Sequence, residues 1–339
     1  MKKLFSTIFL ILLTILAVAQ SQDYTTINVT IPGTLKSILD ARVDKFIFYL
    51  KITGNIDARD IKCLRDDNPA LAFLDLSEAT INEYYGNGGT SIYQTSYPAN
   101  ELPEFSFSNY AKPRGSSPIV KLKLPNTITT INRRAFYYCS ALTDIAFGDS
   151  ITYIGTESFL ACDGLKSLII PNTVKFISDS AFSRCNGLTD LTIMSSDTYF
   201  DHKAFFYCKY IKTITCLGII PPVFGDESFS YLNSLTTVYV PAASVAAYKA
   251  SKWGTLFFSR IKANPTDDIT GITSGVKVYA SRSEIIVEGT APKEIITLYS
   301  IMGKQLKIVV SSGERLNIPV DKQGIYLVKI GGKTYKVVV

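Results

Sequence analysis

The sequence predicts a mainly β chain with short helical turns: a parallel-sheet solenoid followed by a small Ig-like β-sandwich. Three observations predict it. Five phenylalanines, Phe136, Phe159, Phe182, Phe205 and Phe229, recur at intervals of 23, 23, 23 and 24 residues. A strand-like apolar frame recurs in step with them. Past residue 272 the period vanishes, and short β-rich runs with Gly-containing turns replace it. A fixed period of roughly 20–50 residues marks units that bury their apolar faces only against their neighbours.

Within a unit, each phenylalanine follows a small residue and precedes a cysteine by three: Ala135-Phe136-x-x-Cys139, Ser158-Phe159-x-x-Cys162, Ala181-Phe182-x-x-Cys185 and Ala204-Phe205-x-x-Cys208. Leu232 takes the cysteine's place after Phe229. That exchange predicts a buried apolar position, where free cysteine packs as a small hydrophobe. The strand frame follows as Leu142-x-x-Ile145-x-Phe147 and recurs from 165, 188, 211 and 235, and upstream from 47, 71 and 119. Its i, i+2 alternation places two apolar side chains on one face. The strands pair side by side on one edge of the solenoid, and the Ala-Phe-x-x-Cys segments, read as single helical or 3₁₀ turns, line the other. The double-length step between 71 and 119 predicts one oversized unit with an insertion over about 82–117. Gly86-Asn87-Gly88-Gly89 and Pro113-Arg114-Gly115-Ser116-Ser117-Pro118 there have loop chemistry. Pro125-Asn126-Thr127 and Pro171-Asn172-Thr173 predict turns that end strands.

These residues resemble the BspA-like leucine-rich repeat proteins, with the signature Leu-Pro-x-x-[Ile/Val]-x-x-Ile-x-x-x-Ala-Phe-x-x-Cys-x-x-Leu over roughly residues 40–262. Val240-Pro241 through Trp253 and Ile261 look like that family's terminal unit. The resemblance implies an exported bacterial protein that adheres to host or microbial surfaces.

The ends define the remaining segments. Lys2 and Lys3, the uncharged run Leu4–Ala19 and the small-x-small site Ala17-Val18-Ala19 predict a secretory signal over residues 1–19. A membrane anchor is the weaker reading, because the run is shorter than the ~20 apolar residues that span a bilayer. The solenoid occupies 20–262, a polar Pro-containing linker 263–272 and the sandwich 273–339. Seven strands are expected there: 276–280, 284–288, 294–299, 304–309, 315–319, 325–330 and 334–339. Leu298, Ile301, Ile325, Leu327 and Val337 are its candidate core. Leu298–Lys304, Gly324–Lys329 and Lys336–Val339 resemble the C-terminal sorting domains of type IX secretion. That resemblance implies a partner in the secretion machinery and passage to the outer surface of a Gram-negative bacterium. A plain structural cap is the alternative.

The formal charge is +6, and +4 without Lys2 and Lys3. No basic run stands out, so nucleic acid is not an expected partner. Six cysteines in an exported chain invite disulfides. Four of them share one repeat position, however, and parallel Cβ vectors give poor bridging geometry; free buried thiols are expected. No C-x-x-C pair occurs and His202 is the single histidine, so neither a metal site nor a His-based nucleophile is expected. His202 holds a position that Arg133, Thr156 and Asp179 occupy in other units, which predicts a solvated side chain. Catalytic residues, cofactors and metals are all expected to be none.

Alternation along the strands predicts which side chains leave the core. One outward row is Lys121, Asp144, Ser167, Asp190, Thr213 and Thr237; the second is Lys123, Ala146, Ile169, Thr192, Thr215 and Tyr239. Adjacent members would stand about 4.8 Å apart. Small, mixed rows suit an extended protein or extracellular-matrix ligand and offer little to a sugar, which wants stacked aromatic rings. A merely solvated face, in a structural surface component with no discrete ligand, is the alternative. Tyr84, Tyr85, Tyr93 and Tyr97 in the insertion, among glycine and serine, form a rival paratope-like patch.

Overall fold

The computed structural model describes residues 24–43, 46–108, 117–264, 276–281, 284–300, 305–313, 315–320, 325–330 and 333–339. The expected signal segment and most of the expected linker lie outside them.

Ten strands form the principal face of the solenoid: β1 (Thr25–Val29), β2 (Tyr49–Ile56), β3 (Phe73–Ile81), β4 (Lys121–Lys123), β5 (Asp144–Ala146), β6 (Ser167–Ile170), β7 (Asp190–Ile193), β8 (Thr213–Cys216), β9 (Thr237–Val240) and β10 (Ile261–Ala263). They pair in parallel as two five-stranded runs, β1 to β5 and β6 to β10. The eight expected strands are all present. β1 and β10 extend the face at either end; β10 keeps the 23-residue step, with Val238 paired to Ile261.

A second run of very short parallel strands lies one turn further along each unit, at Glu101–Leu102, Thr130–Ile131, Tyr153–Ile154, Phe176–Ile177 and Tyr199–Phe200. The motif Pro-Asn-Thr-x-x-x-Ile therefore does more than end a strand: its last apolar residue, such as Ile131 or Ile177, is fully buried.

The Ala-Phe-x-x-Cys segments differ from the expected helical turns. Each rung makes two four-residue turns in tandem. In one rung the amide of Ala135 donates to Asn132 O and that of Cys139 to Phe136 O. The third residue of each turn, Arg134 and Tyr138, has φ of 53° and 58°, and Glu157, Ala161, Ser180, Arg184, Lys203, Tyr207, Glu227 and Tyr231 repeat this in later rungs. Left-handed backbone at a non-glycine residue costs about 1–2 kcal/mol, so it needs a compensating contact. The compensation is a bond to the next rung: Arg134, Phe136 and Tyr138 donate to the carbonyls of Thr156, Ser158 and Leu160. Every second amide thus points along the solenoid axis, making the ridge a third stacked layer. A helix would turn those amides inward and lose the bonds.

Inside this triangular section one apolar core runs from Ile27 to Ile261. The phenylalanine spine is as predicted, with Phe107 added at its start. Successive ring centroids are 5.3, 4.7, 4.8, 5.1 and 5.4 Å apart and the planes lie within 14° of parallel. Beside it, Cys139, Cys162, Cys185 and Cys208 form a ladder of thiols. Each Sγ donates to the carbonyl of the phenylalanine one rung earlier, at 3.3, 3.1, 3.1 and 3.0 Å. Leu232 is buried where the cysteine would stand. All six thiols are free and buried. Units approach so closely behind the ladder that a Cβ added to Gly187 would lie 1.9 Å from Asp163 O.

Both ends are closed by polar contacts that no repeat supplies. At the start, helix α1 (Leu35–Asp40) and helix α2 (Ala58–Asp66) pack over β1 and β2. Asp57 and Asp60 form a capping box on α2, and Asp60 also accepts the amides of Gly33 and Leu35 at 2.6 and 2.9 Å. Burial raises the Asp60 carboxyl above its ordinary range, against the lowering effect of those amides. At the other end helices α3 (Val245–Ala250) and α4 (Lys252–Phe257) bring in Trp253, whose ring lies 5.0 Å from Phe229 and whose Nε1 donates to Pro222 O at 2.8 Å. Tyr248 Oη donates to Gly218 O at 2.8 Å.

The C-terminal segment folds as seven antiparallel strands: β11 (Lys277–Ser281), β12 (Glu284–Glu288), β13 (Ile295–Ser300), β14 (Gln305–Val310), β15 (Leu316–Pro319), β16 (Ile325–Ile330) and β17 (Lys333–Val338). They form sheets of order β11-β12-β15 and β14-β13-β16-β17 around one shared core. The seven expected strands agree closely. Leu298 and Val337 are buried, Leu327 is half-buried, and the side chains of Ile301 and Ile325 lie outside the described residues.

Candidate functional site: the open face of the principal sheet

Parallel pairing fixes which side chains share a row. Lys121 pairs with Asp144, and Lys123 with Ala146. Across the second run Ser167, Asp190, Thr213 and Thr237 are in register, as are Ile169, Thr192, Thr215 and Tyr239. Within each run the expected rows are therefore physical rows. Lys121, Lys123, Asp144, Ser167 and Asp190 are exposed; Ile169, Thr192, Thr213, Thr215 and Tyr239 are half-buried. Thr237 is the exception, at 8% exposure. Strands β8 and β10 flank it on both sides, and so short a side chain does not rise above its neighbours.

The rows continue past Lys121 and change character. Phe73 pairs with Lys121 and Tyr49 with Phe73. The rings of Tyr49 and Phe73 stack at 4.4 Å and 15°, and Tyr24 meets Tyr49 edge-on at 5.9 Å. In the second row Asp75 stands beside Lys123, whose Nζ lies 2.8 Å from its Oδ2. Burial works against the Asp75 carboxylate, but Lys123 and the hydroxyl and amide of Ser77 hold it below the ordinary range. The same hydrogen bond raises Lys123. Burial raises the Tyr24 phenol, with Lys123 opposing and Asp75 adding to the rise. Three aromatic rings and one partly shielded ion pair thus occupy one end of the face, with small polar residues along the rest.

The two expected rows carry one aromatic, Tyr239, and the aromatic end lies beyond them, on strands that precede Lys121. The signal was present: in the frames Ile47-x-x-Leu50-x-Ile52 and Leu71-x-x-Leu74-x-Leu76, residues 49 and 73 are the outward positions. Only Tyr24 was beyond reach, because β1 has no repeat frame.

The rival patch in the insertion is divided. Tyr85 and Tyr93 are 70% exposed. Tyr97 is buried, its hydroxyl donating to Gln94 O at 2.7 Å and accepting from Ser91 N. Tyr84 stacks on Tyr97 at 5.8 Å and lies under the Arg59 guanidinium at 4.5 Å. Glycine and serine there let the loop fold back on α2, so half of the tyrosines serve packing. His202 is exposed, as expected. Among the described residues no group of three or more His, Cys, Asp or Glu is placed to hold a metal ion. No helix there is long and apolar enough to cross a membrane.

Residues 100–236 match the BspA type leucine rich repeat region in six copies. This stretch is a leucine-rich repeat region. Its six copies correspond to the six rungs that carry Phe107 to Phe229. Residues 264–339 match a domain of unknown function, DUF6383. A leucine rich cell surface protein from Faecalibacterium prausnitzii A2-165 is similar at 24% identity and a TM-score of 0.39, over 63% of this chain and 47% of that one. A leucine-rich repeat protein from Bacteroides ovatus is similar at 18% identity and a TM-score of 0.34, over 65% and 50%. The chain spans about half the length of these two structures. No curated protein matches it. The aromatic end, on β1 to β3, precedes the matched repeat region, while the polar rows from Asp144 to Thr237 fall almost wholly within it.

Proposed function

We propose that the chain is an exported, non-catalytic binding protein that lays an extended protein or matrix segment across the open face of its principal sheet. The single observation behind this reading is the pair of side-chain rows held in register within each run of the face, with Tyr49 stacked on Phe73 and Tyr24 edge-on to Tyr49 at one end. Aromatic anchors contribute most of the energy in many interfaces, and surrounding polar contacts exclude water. Here the anchors and the polar rows share one surface. The seven-stranded C-terminal domain serves export in this reading, and the mature protein stands at the outer cell surface.

The test uses the mature chain on an array of immobilised matrix proteins and glycans. The double variant Tyr49→Ala, Phe73→Ala and the triple variant Lys121→Ala, Asp144→Ala, Asp190→Ala should each lower capture at least about tenfold, the effect of losing roughly 1.4 kcal/mol, with thermal unfolding of the triple variant unchanged. Unaltered capture in both removes the open face as the site. Capture by no component of the array favours a structural surface role. Deletion of 273–339 should abolish export; surface display of the truncated chain would refute the sorting role.

A further inference from the structure

The turn ridge ends in an open row of hydrogen-bond donors. In every rung from Arg134 onward three alternate amides donate forward, until the last. Lys203, Phe205 and Tyr207 donate to Asp226, Ser228 and Ser230 at 3.1, 2.8 and 3.0 Å. The equivalent amides of the final rung are those of Glu227, Phe229 and Tyr231, and among the described residues none of them has an acceptor. They border an open recess of about 660 Å³ whose far wall is Leu256, Phe257 and Arg260. The terminal helices close the principal sheet and the spine through Trp253 and Tyr248, and Lys252 Nζ of α4 donates to Phe224 O and Asp226 Oδ1 at 3.1 and 3.2 Å, but among the described residues α4 offers these three amides no acceptor.

The opposite end is treated differently. There the ridge exposes carbonyls, and Thr90 Oγ1 donates to Glu104 O at 2.6 Å while Arg65 Nη1 donates to Phe105 O at 2.7 Å and to Ser108 O at 3.4 Å. Those caps block head-to-tail stacking of a second copy through its own ridge.

We propose that the open edge is a peptide-binding site, separate from the open face, that takes a short segment folded in the same turns as a further rung. The donor spacing names the ligand. The donors alternate along the chain, so they do not converge on one point as the consecutive amides of an anion-binding nest do. They match carbonyls at i, i+2 and i+4 of a backbone in the rung conformation, as Asp226, Ser228 and Ser230 present them to the rung before, a main-chain addition to an open edge akin to strand addition. In the rungs above, the residue supplying the central carbonyl is always small and fully buried: Ala135, Ser158, Ala181, Ala204 and Ser228. The ligand therefore carries alanine or serine at its centre. The spine position beside it is already filled by Trp253, so main-chain bonds and the Leu256–Phe257 wall supply the contact.

The probe is the blocked pentapeptide Asp-Glu-Ser-Ala-Ser, which is residues 226–230 of the chain with alanine at the spine position that Trp253 fills, added to the ¹⁵N-labelled mature protein. In the free protein the amides of Glu227, Phe229 and Tyr231 should exchange with solvent far faster than those of Lys203, Phe205 and Tyr207. Peptide at ten times its Kd should slow the three by about tenfold and shift their resonances saturably, leaving the other three unchanged. The peptide carrying Ser228→Ile should do neither. Several results would overturn the proposal. Millimolar peptide that leaves all three resonances in place does so, as does an isoleucine peptide that binds equally, or inorganic phosphate that reproduces the shifts, which marks an anion site. Protection that grows with protein concentration alone marks a second copy as the occupant.

Discussion

Truncating the middle of the spine is the most direct trial of the solenoid's energetics. Phe159 is fully buried between Phe136 at 4.7 Å and Phe182 at 4.8 Å, and Phe147 meets it edge-on at 6.0 Å. Phe→Ala in a core costs about 3–5 kcal/mol. Stacked pairs add about 0.5–1.5 kcal/mol each beyond buried area, and Phe159 has two. Rungs above and below are fixed by backbone bonds on three sides, so the cavity cannot collapse. Phe159→Ala should therefore fall at the upper end, near 5 kcal/mol, and Phe107→Ala, with one ring neighbour among the described residues, at 5.3 Å, near 3 kcal/mol. Phe159→Leu should cost less than either variant. Urea unfolding measures this with two probes: circular dichroism for the strands, and the fluorescence of Trp253, the single tryptophan, for the C-terminal end. Because each rung contacts only its neighbours, probes that coincide in the parent should separate in the alanine variant. A loss under about 1.5 kcal/mol, or equal losses at 159 and 107, would refute the account of the spine as a chain of pairwise stacks.

Three further outcomes follow from the same structure. Asp75 has a folded-state pKa below its ordinary value, so its contribution to stability is present above the unfolded carboxylate value of about 4 and is lost as pH falls through the lower folded value. Asp75→Asn should flatten that acid arm in urea titrations run from pH 6 to 2, and an unchanged arm would refute the pairing with Lys123. Burial raises the thiols of Cys139, Cys162, Cys185 and Cys216, and pushes Cys63 up to about 12; thiolate is the reactive form and all six side chains are buried from reagent, so iodoacetamide at pH 8 should label none of the six cysteines until denaturant is added, as counted by intact mass. Arg184 is exposed with φ of 60°, so Arg184→Gly should be neutral or stabilising by up to about 1 kcal/mol, and Arg184→Val destabilising by about 1–2 kcal/mol; a thermal melt in which valine equals glycine would contradict the left-handed turn.

Much of the solenoid was legible because each rung repeats one packing problem. Phe136 to Phe229, the cysteine ladder and Leu232 occupy equivalent places, and equivalence can be read by counting. The open-face rows were legible for the same reason, and Tyr49 and Phe73 could have been added to them. The turn ridge was not. Ala-Phe-x-x-Cys has a helical look, with no glycine at Arg134, Tyr138 or Arg184 to announce left-handed backbone. The conformation is paid for by bonds to the next rung, which no single unit contains. Tyr97 was misplaced for a related reason, since loop composition says nothing of what the loop folds back upon.

The sequence by itself determined the period, the direction of each strand's side chains and the chemistry of the core, because these follow from local alternation and residue size. Tertiary structure alone decided where the stack stops. β1, the Arg65 and Thr90 caps and the unpaired amides at Glu227, Phe229 and Tyr231 belong to the ends, where translation symmetry fails and the partner of each backbone group is set by whatever segment happens to lie beside it.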